Sequence, residues 1–187
     1  VKDAQLRAEA GQLCFGTVDS FLMFHLSKGV IHKTDFTNAS RTMLFNINNL
    51  DWDEDLLKLF NIPRKLLPSV HKCDHEFGTA PLLNNITING VLGDQQSAMF
   101  GQGCLSVGSS KSTYGTGCFL MCNIGETVKI SQDGLLTTVA FNLSDKIYYA
   151  LEGSIYSAGT IVQWLRDNLQ FFSCLLYTSP SPRDLMR

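Results

Sequence analysis

No run of about eighteen apolar residues occurs in this sequence, so a membrane-spanning helix is not expected. Charge of one sign is scarce too: 15 Lys and Arg against 17 Asp and Glu leave a net charge of −2, with no basic run. Nucleic acids and anionic membrane surfaces are captured by concentrated positive charge, so neither is expected as a partner. The start at Val1 lacks the basic residues and apolar stretch of a signal peptide, and none is expected there. No CxxC occurs among the six cysteines, Cys14, Cys73, Cys104, Cys118, Cys122 and Cys174. Cys118 and Cys122, four apart in an apolar run, read as buried thiols of a reducing compartment before they read as a metal or redox pair, and a cytoplasmic location is expected. Cys73-Asp74-His75 offers metal-ligand chemistry, but no second cluster completes a site, and a solvated loop is the better reading. Sequons stand at Asn38, Asn85 and Asn142, and without a secretory signal they read as chance.

What is present is an ordinary globular composition, 44% hydrophobic and 17% charged over 187 residues, enough for one or two domains with a core. "GTVDSFLMFHLSKG" (16–29) predicts a helix capped by Thr17 or Asp19 and closed by Lys28-Gly29. Its apolar residues fall on more than one side, which predicts a well-buried helix with His25 as a core or partly exposed histidine. "TDFTNASRTM" (34–43) is polar, turn-prone and rich in capping residues. Its Arg41 could hold a phosphate, but pairing with Asp35 or with backbone carbonyls is the better reading. "LDWDEDLLKLF" (50–60) predicts a short helix with acids in its first turn and Leu56, Leu57 and Leu59 inward. Pro63 can start a further turn. A strand over "TINGVLG" and a helix over "QQSAMFGQG" follow. The texture then turns to β, with strands around a glycine turn in 111–123, then 135–142 and 146–153, and a closing amphipathic helix over 157–169.

Three places can do chemistry. Asp94, placed where a strand ends, could take a proton from a substrate hydroxyl while Gln95 fixes that substrate by hydrogen bonds. On local pattern alone, Asp94 as the N-cap of the next helix is the stronger reading. "TYGTG" (113–117) puts Gly115 and Gly117 around Thr116, so backbone N–H groups and a hydroxyl could cradle a phosphate. A plain hairpin turn explains it equally, and no GKS or GKT follows to make it a Walker loop. Ser157-Ala158-Gly159 at a helix start leaves room for a flat ligand that Gln163 could hydrogen-bond, or serves only close helix packing.

Taken in order, "FGTVDSFLMFHL", "TDFTNASRTMLFNINNLDWDEDLL", "GDQQSAMFGQG", "STYGTGCFLMCNIGE", "DGLLTTVAF" and "YALEGSIYSAGTIVQWLRD" resemble the FGGY carbohydrate kinase family. "TNASRTMLFNI" and "TYGTGCFL" point to its glycerol-phosphorylating branch, and the resemblance covers nearly all of residues 12–169. It implies an α/β, actin-like or RNase H-like ATPase fold of two domains, present here in part. Residues 1–103 would be the later part of the first domain and 104–172 the opening of the second. The sequence "CLLYTSPSPRD" reads as translated sequencing adaptor, so 173–187 is expected to be non-native tail.

The resemblance also implies roles. Asp94 would be the general base and, with Gln95 and Phe119, would bind glycerol. Thr116 would contact nucleotide phosphates, and Gly159 and Gln163 would contact ATP, with Mg²⁺ accompanying it. Homo-oligomerisation stays open. The family's phosphate-binding hairpin, its arginine–glutamate pair and a glycerol-holding tyrosine lie upstream of the matching region, and the rest of the adenine pocket lies downstream. This stretch by itself is therefore expected to be an inactive fragment. The alternatives are a kinase of the same family acting on a pentulose or other polyol, and a non-catalytic binding protein that keeps the fold.

Overall fold

The computed structural model describes residues 3–173, so the expected non-native tail lies outside the described residues except for Ser173. The chain divides into two units, the first made of residues 1–111 and 121–152, the second of residues 112–120 and 153–187.

The first unit opens with helices α1 (Ala4–Glu9) and α2 (Val18–Leu26), then strand β1 (Lys33–Asp35) and the single turn α3 (Phe36–Ala39). Short strands β2 (Phe45–Asn46) and β3 (Asp51–Trp52) precede α4 (Glu54–Leu59), and β4 (Ser69–His71), β5 (Gly78–Ala80) and β6 (Ile86–Ile88) lead to α5 (Asp94–Gly101). Strands β7 (Ser110–Tyr114), β8 (Cys118–Gly125), β9 (Leu136–Leu143) and β10 (Lys146–Ile155) form one sheet in the order β7-β8-β10-β9, followed by α6 (Gly159–Asp167). β7, β8 and β10 each have one end in the second unit.

Local chemistry sets the helix starts. Asp35 caps α3, accepting from the Thr37 and Asn38 N–H groups at 2.8 and 3.0 Å. Asp53 caps α4 in the same way, from Asp55 and Leu56 at 3.1 and 3.0 Å. Pro63 precedes a 3-10 turn, Arg64–Leu66, as its fixed φ allows. The acids at the α4 start are solvent-facing, with Asp51 and Glu54 bound by Arg64 at 2.7 and 3.0 Å. The main apolar core gathers Ala39, Leu44, Phe45, Trp52 and Leu57 under Val139 and Tyr149 of β9 and β10, and a second cluster joins Met99, Met121, Phe141 and Ala150. β9 and β10 pair antiparallel, with an irregularity between Tyr148 and Tyr149.

Two packing expectations are corrected. α2 buries only the stripe of Ser20 and Met23, while Phe21 and Leu22 are 60% and 52% exposed. Its apolar residues surround the helix, but only one side of it meets packing partners in this unit. His25 is exposed, its ring set edge-on against Phe21 at 4.3 Å. On α4, Leu57 faces inward, but Leu59 is 74% exposed because two residues along a helix lie on opposite sides. The Cys73-Asp74-His75 segment is only partly solvated: Asp74 is exposed, but Cys73 is buried and its N–H donates to Asn142 Oδ1 at 2.6 Å. The Asn142 of the sequon is therefore a buried structural group.

The rings of His71 and His75 stack at 4.1 Å, with Phe77 edge-on to both. Burial first, then the charges of His75 and Lys33, push His71 down from 6.5 to about 4. A histidine held neutral in this way adds stability above pH 6.5, and that stability is lost as the pH falls toward about 4. The thermal midpoint of the chain should drop across that window, and His71→Phe should flatten the drop. Burial pushes the Asp35 carboxyl up, which changes stability in the opposite sense, so comparing the two proteins isolates the histidine.

Candidate active site

In the first unit the site is built at the start of α5. β6 ends at Ile88, and residues 89–93 belong to no regular element. The apolar run of "TINGVLG" therefore continues past the three residues that β5 pairs with, and Gly90 follows almost at once. Asp94 is consequently not at a strand end, nor is it the N-cap: Gly93 holds that extended position and Asp94 is the first helical residue. Asp94 is exposed, and its Oδ1 accepts the Gln95 N–H at 2.7 Å.

This helix start is pinned from beneath. The Gly93 N–H donates to Thr37 Oγ1 at 2.8 Å, and the Thr37 hydroxyl donates to Asp35 Oδ2 at 2.6 Å. A Cβ on Gly93 would stand 2.6 Å from Gln96 Oε1, so any larger residue there would displace the Gln96 amide. Gln96 is buried and donates from Nε2 to Val139 O at 3.3 Å, tying α5 to β9. Asp35, Thr37 and Gln96 thus fix the backbone on which Asp94 and Gln95 sit.

Beside them lies a buried charged cluster. Lys111, 3% exposed on β7, donates from Nζ to Gln95 Oε1. Burial pulls the Lys111 ammonium below its usual 10.5, against the opposing pull of Asp94, Glu152 and Cys104. Glu152, on β10 with its side chain 1% exposed, accepts both terminal nitrogens of Arg41 at 2.7 and 2.9 Å. The expected Arg41–Asp35 pair is not formed. The Asp35 oxygens are filled by Thr37 and Asn38, and Arg41 reaches the sheet instead.

In the second unit, β7 turns into β8 at Gly115-Thr116-Gly117, where the Gly115 N–H donates to Gly117 O at 2.9 Å. The start of α6 docks on this turn. The N–H groups of Ala158 and Gly159 donate to the carbonyls of Thr116 and Gly115 at 2.8 and 3.0 Å. A Cβ on Gly159 would stand 2.5 Å from Gly115 O, and one on Gly117 2.5 Å from Ile155 O. The glycines therefore permit backbone-to-backbone packing whether or not a ligand is present. The turn's carbonyls are spent on α6, which leaves Thr116 exposed, with Gly159 half-buried. Gln163 lies four residues on from Gly159, on the same face of α6, and is exposed. Phe119 is half-buried at the start of β8.

The structure thus gathers Asp94 and Gln95 in one unit, and Thr116, Phe119, Gly159 and Gln163 in the other. The motifs did not single out Lys111 or Glu152. Each is one charged residue in a strand, and no local pattern marks it as buried.

The FGGY family of carbohydrate kinases matches this chain through both of its models, the N-terminal domain over residues 1–101 and the C-terminal domain over 111–181. A helix-borne carboxylate and amide in one unit and a glycine turn under a helix start in the other stand within those matches, and the chain belongs to the FGGY family of carbohydrate kinases. It is 53% identical to a glycerol kinase of Natranaerobius thermophilus over 91% of its length, and 56% identical to one of Xanthobacter autotrophicus over 92%. In each case it spans 35% of the relative's length. Among solved structures, Plasmodium falciparum glycerol kinase with ADP is similar at a TM-score of 0.82 and 43% identity, over 90% of this chain and 35% of that one. Xylulose kinase of Lactobacillus acidophilus shares the fold at a TM-score of 0.69 and 20% identity, over 89% of this chain and 33% of that one. The α/β, actin-like ATPase fold expected from the sequence is the fold of these kinases, held here in part. Among the described residues no helix is long and apolar enough to cross a membrane.

Proposed function

We propose that the whole protein carrying this chain is an ATP-dependent glycerol kinase, forming glycerol 3-phosphate. One observation carries the reading: identity to curated glycerol kinases of 53–56% over nine-tenths of the chain, against 20% to the xylulose kinase. ATP supplies the transferred phosphoryl group, and Mg²⁺ offsets its charge. Mg²⁺ bound with a nucleotide is usually held by its phosphates, waters and one or two carboxylates. Thr116 would meet the phosphates from the glycine turn, and Gly159 and Gln163 the nucleoside from one face of α6. The exposure of Thr116 and Gln163 supports this assignment.

Phosphoryl transfer is mostly positioning and charge stabilisation. Gln95 would hydrogen-bond glycerol while the half-buried ring of Phe119 packs on its carbons. Asp94 would take the proton of the attacking hydroxyl. Its Oδ1 is engaged by the Gln95 N–H, which points to Oδ2 as the accepting atom. Expulsion of water would keep glycerol the only acceptor. A cytoplasmic location accords with this chemistry. A panel of glycerol, xylulose and ribulose, assayed with ATP and the purified full-length protein, tests the reading. Glycerol should give the highest kcat/KM. Preference for a pentulose would move the protein to another branch of the family, and no turnover on any of them would favour a binding protein.

A further inference from the structure

We propose that Thr37 is a positioning residue of this reaction, its hydroxyl locking the glycine joint that carries the Asp94 carboxylate. The inference deepens the kinase reading above and rests on it. Its own observation is independent: a threonine 0% exposed stands between a buried carboxylate, Asp35, and the backbone one residue before Asp94.

Asp94 is exposed, and its carboxylate is engaged by the N–H of the next residue, so its aim is set by the backbone beneath it. That backbone opens at Gly93, the residue type with the freest φ and ψ. Gly93 has no side chain to cap the helix it opens, which is the usual way to fix such a start. Thr37, 56 positions away, holds it instead. A hydroxyl has one proton to give and lone pairs to accept with. The Thr37 proton goes to Asp35 Oδ2 at 2.6 Å, so the oxygen is left as an acceptor, and it takes the Gly93 N–H at 2.8 Å. The carboxylate is itself fixed. Its Oδ2 also accepts the Thr37 N–H at 2.8 Å, and its Oδ1 accepts the backbone and side-chain amides of Asn38 at 3.0 and 2.7 Å. Gln96 ties α5 to β9 on the other side of Asp94, so the residue is braced from before and after. A base must stand within hydrogen-bond reach of the hydroxyl it serves, and a misplacement of about 1 Å costs about 10²-fold in rate. Thr37 touches the backbone and not substrate, so its effect passes through the placing of Asp94.

The test is a double-mutant cycle in the full-length protein, with Thr37→Val, Asp94→Asn and both together. Valine keeps the shape of threonine and removes the hydroxyl. With Asp94 intact, Thr37→Val should lower kcat about ten- to a hundred-fold, the scale of a misplaced catalytic group, while the KM values for glycerol and ATP move far less. With asparagine at 94, the same substitution should cost little more in kcat, because the base it aims is gone. Its cost in urea stability should be similar in both backgrounds, which separates positioning from folding. Thr37→Ser should keep most of kcat, since the hydroxyl remains. If Thr37→Val does not fold, Thr37→Ser against Thr37→Ala gives the same contrast, because both lack the methyl group and they differ in the hydroxyl alone. An unchanged kcat in Thr37→Val, an equal loss in both backgrounds, or a serine variant no better than alanine would overturn the inference. Wild-type protein that does not phosphorylate glycerol would instead overturn the kinase reading.

Discussion

Replacing Asp94 by Asn in the full-length protein is expected to lower kcat by about 10²–10⁴-fold, the usual worth of a positioned general base. The substitution keeps the size of the side chain and an oxygen able to accept the Gln95 N–H, now at 2.7 Å, so the start of α5 should survive. What is lost is an atom able to take a proton at neutral pH. ATP binding, measured by calorimetry, should not change, because the residues assigned to the nucleotide are Thr116, Gly159 and Gln163. The KM for glycerol should move far less than kcat, since a base acts as the bond forms and contributes little to ground-state binding. Turnover at the wild-type rate would sink the assignment of Asp94. Equal losses in kcat and in ATP affinity would point to a damaged fold.

The second large effect is on stability. Arg41→Met removes the two hydrogen bonds that Arg41 gives to Glu152, whose side chain is 1% exposed. Breaking a buried pair from one side costs about 3–5 kcal/mol, because a charge is left without its compensation. The low end, about 3 kcal/mol, is expected here: the Arg41 side chain is 37% exposed and the charge of Lys111 still faces Glu152. Replacing both, as Arg41→Met with Glu152→Leu, should cost less than Arg41→Met alone, since the carboxylate that Arg41 bound is then gone as well. Urea unfolding of the four proteins measures this. A double variant as unstable as the sum of its parts would mean that the two residues act separately.

How much of this was legible in the sequence divides along physical lines. Helix starts at Asp35 and Asp53, the 3-10 turn after Pro63, and the hairpin at Gly115–Gly117 follow from caps, fixed φ and small residues within a few positions of one another. The paired strands β9 and β10 follow from their β-branched and aromatic residues, and the helix α6 from its amphipathic spacing. The residues proposed for the site, Asp94, Gln95, Thr116, Phe119, Gly159 and Gln163, stand out in the sequence because the motifs that carry them are contiguous.

By itself, then, the sequence determined the order of the longer elements (helices first, then the strand-rich stretch, then a closing helix), the family, and the short motifs on which chemistry is proposed, because each is encoded by neighbours along the chain. Tertiary structure alone decided three other things. It made Gly93 the cap and Asp94 the first helical residue, through a threonine 56 positions away. It sent Arg41 to Glu152, 111 positions on, when Asp35 was already saturated. It buried Lys111 against Gln95 while leaving Phe21 and Leu22 of an apolar helix in the open. Burial and ion pairing depend on which elements come together in space, and a residue's charge or hydropathy states only what such a meeting would cost.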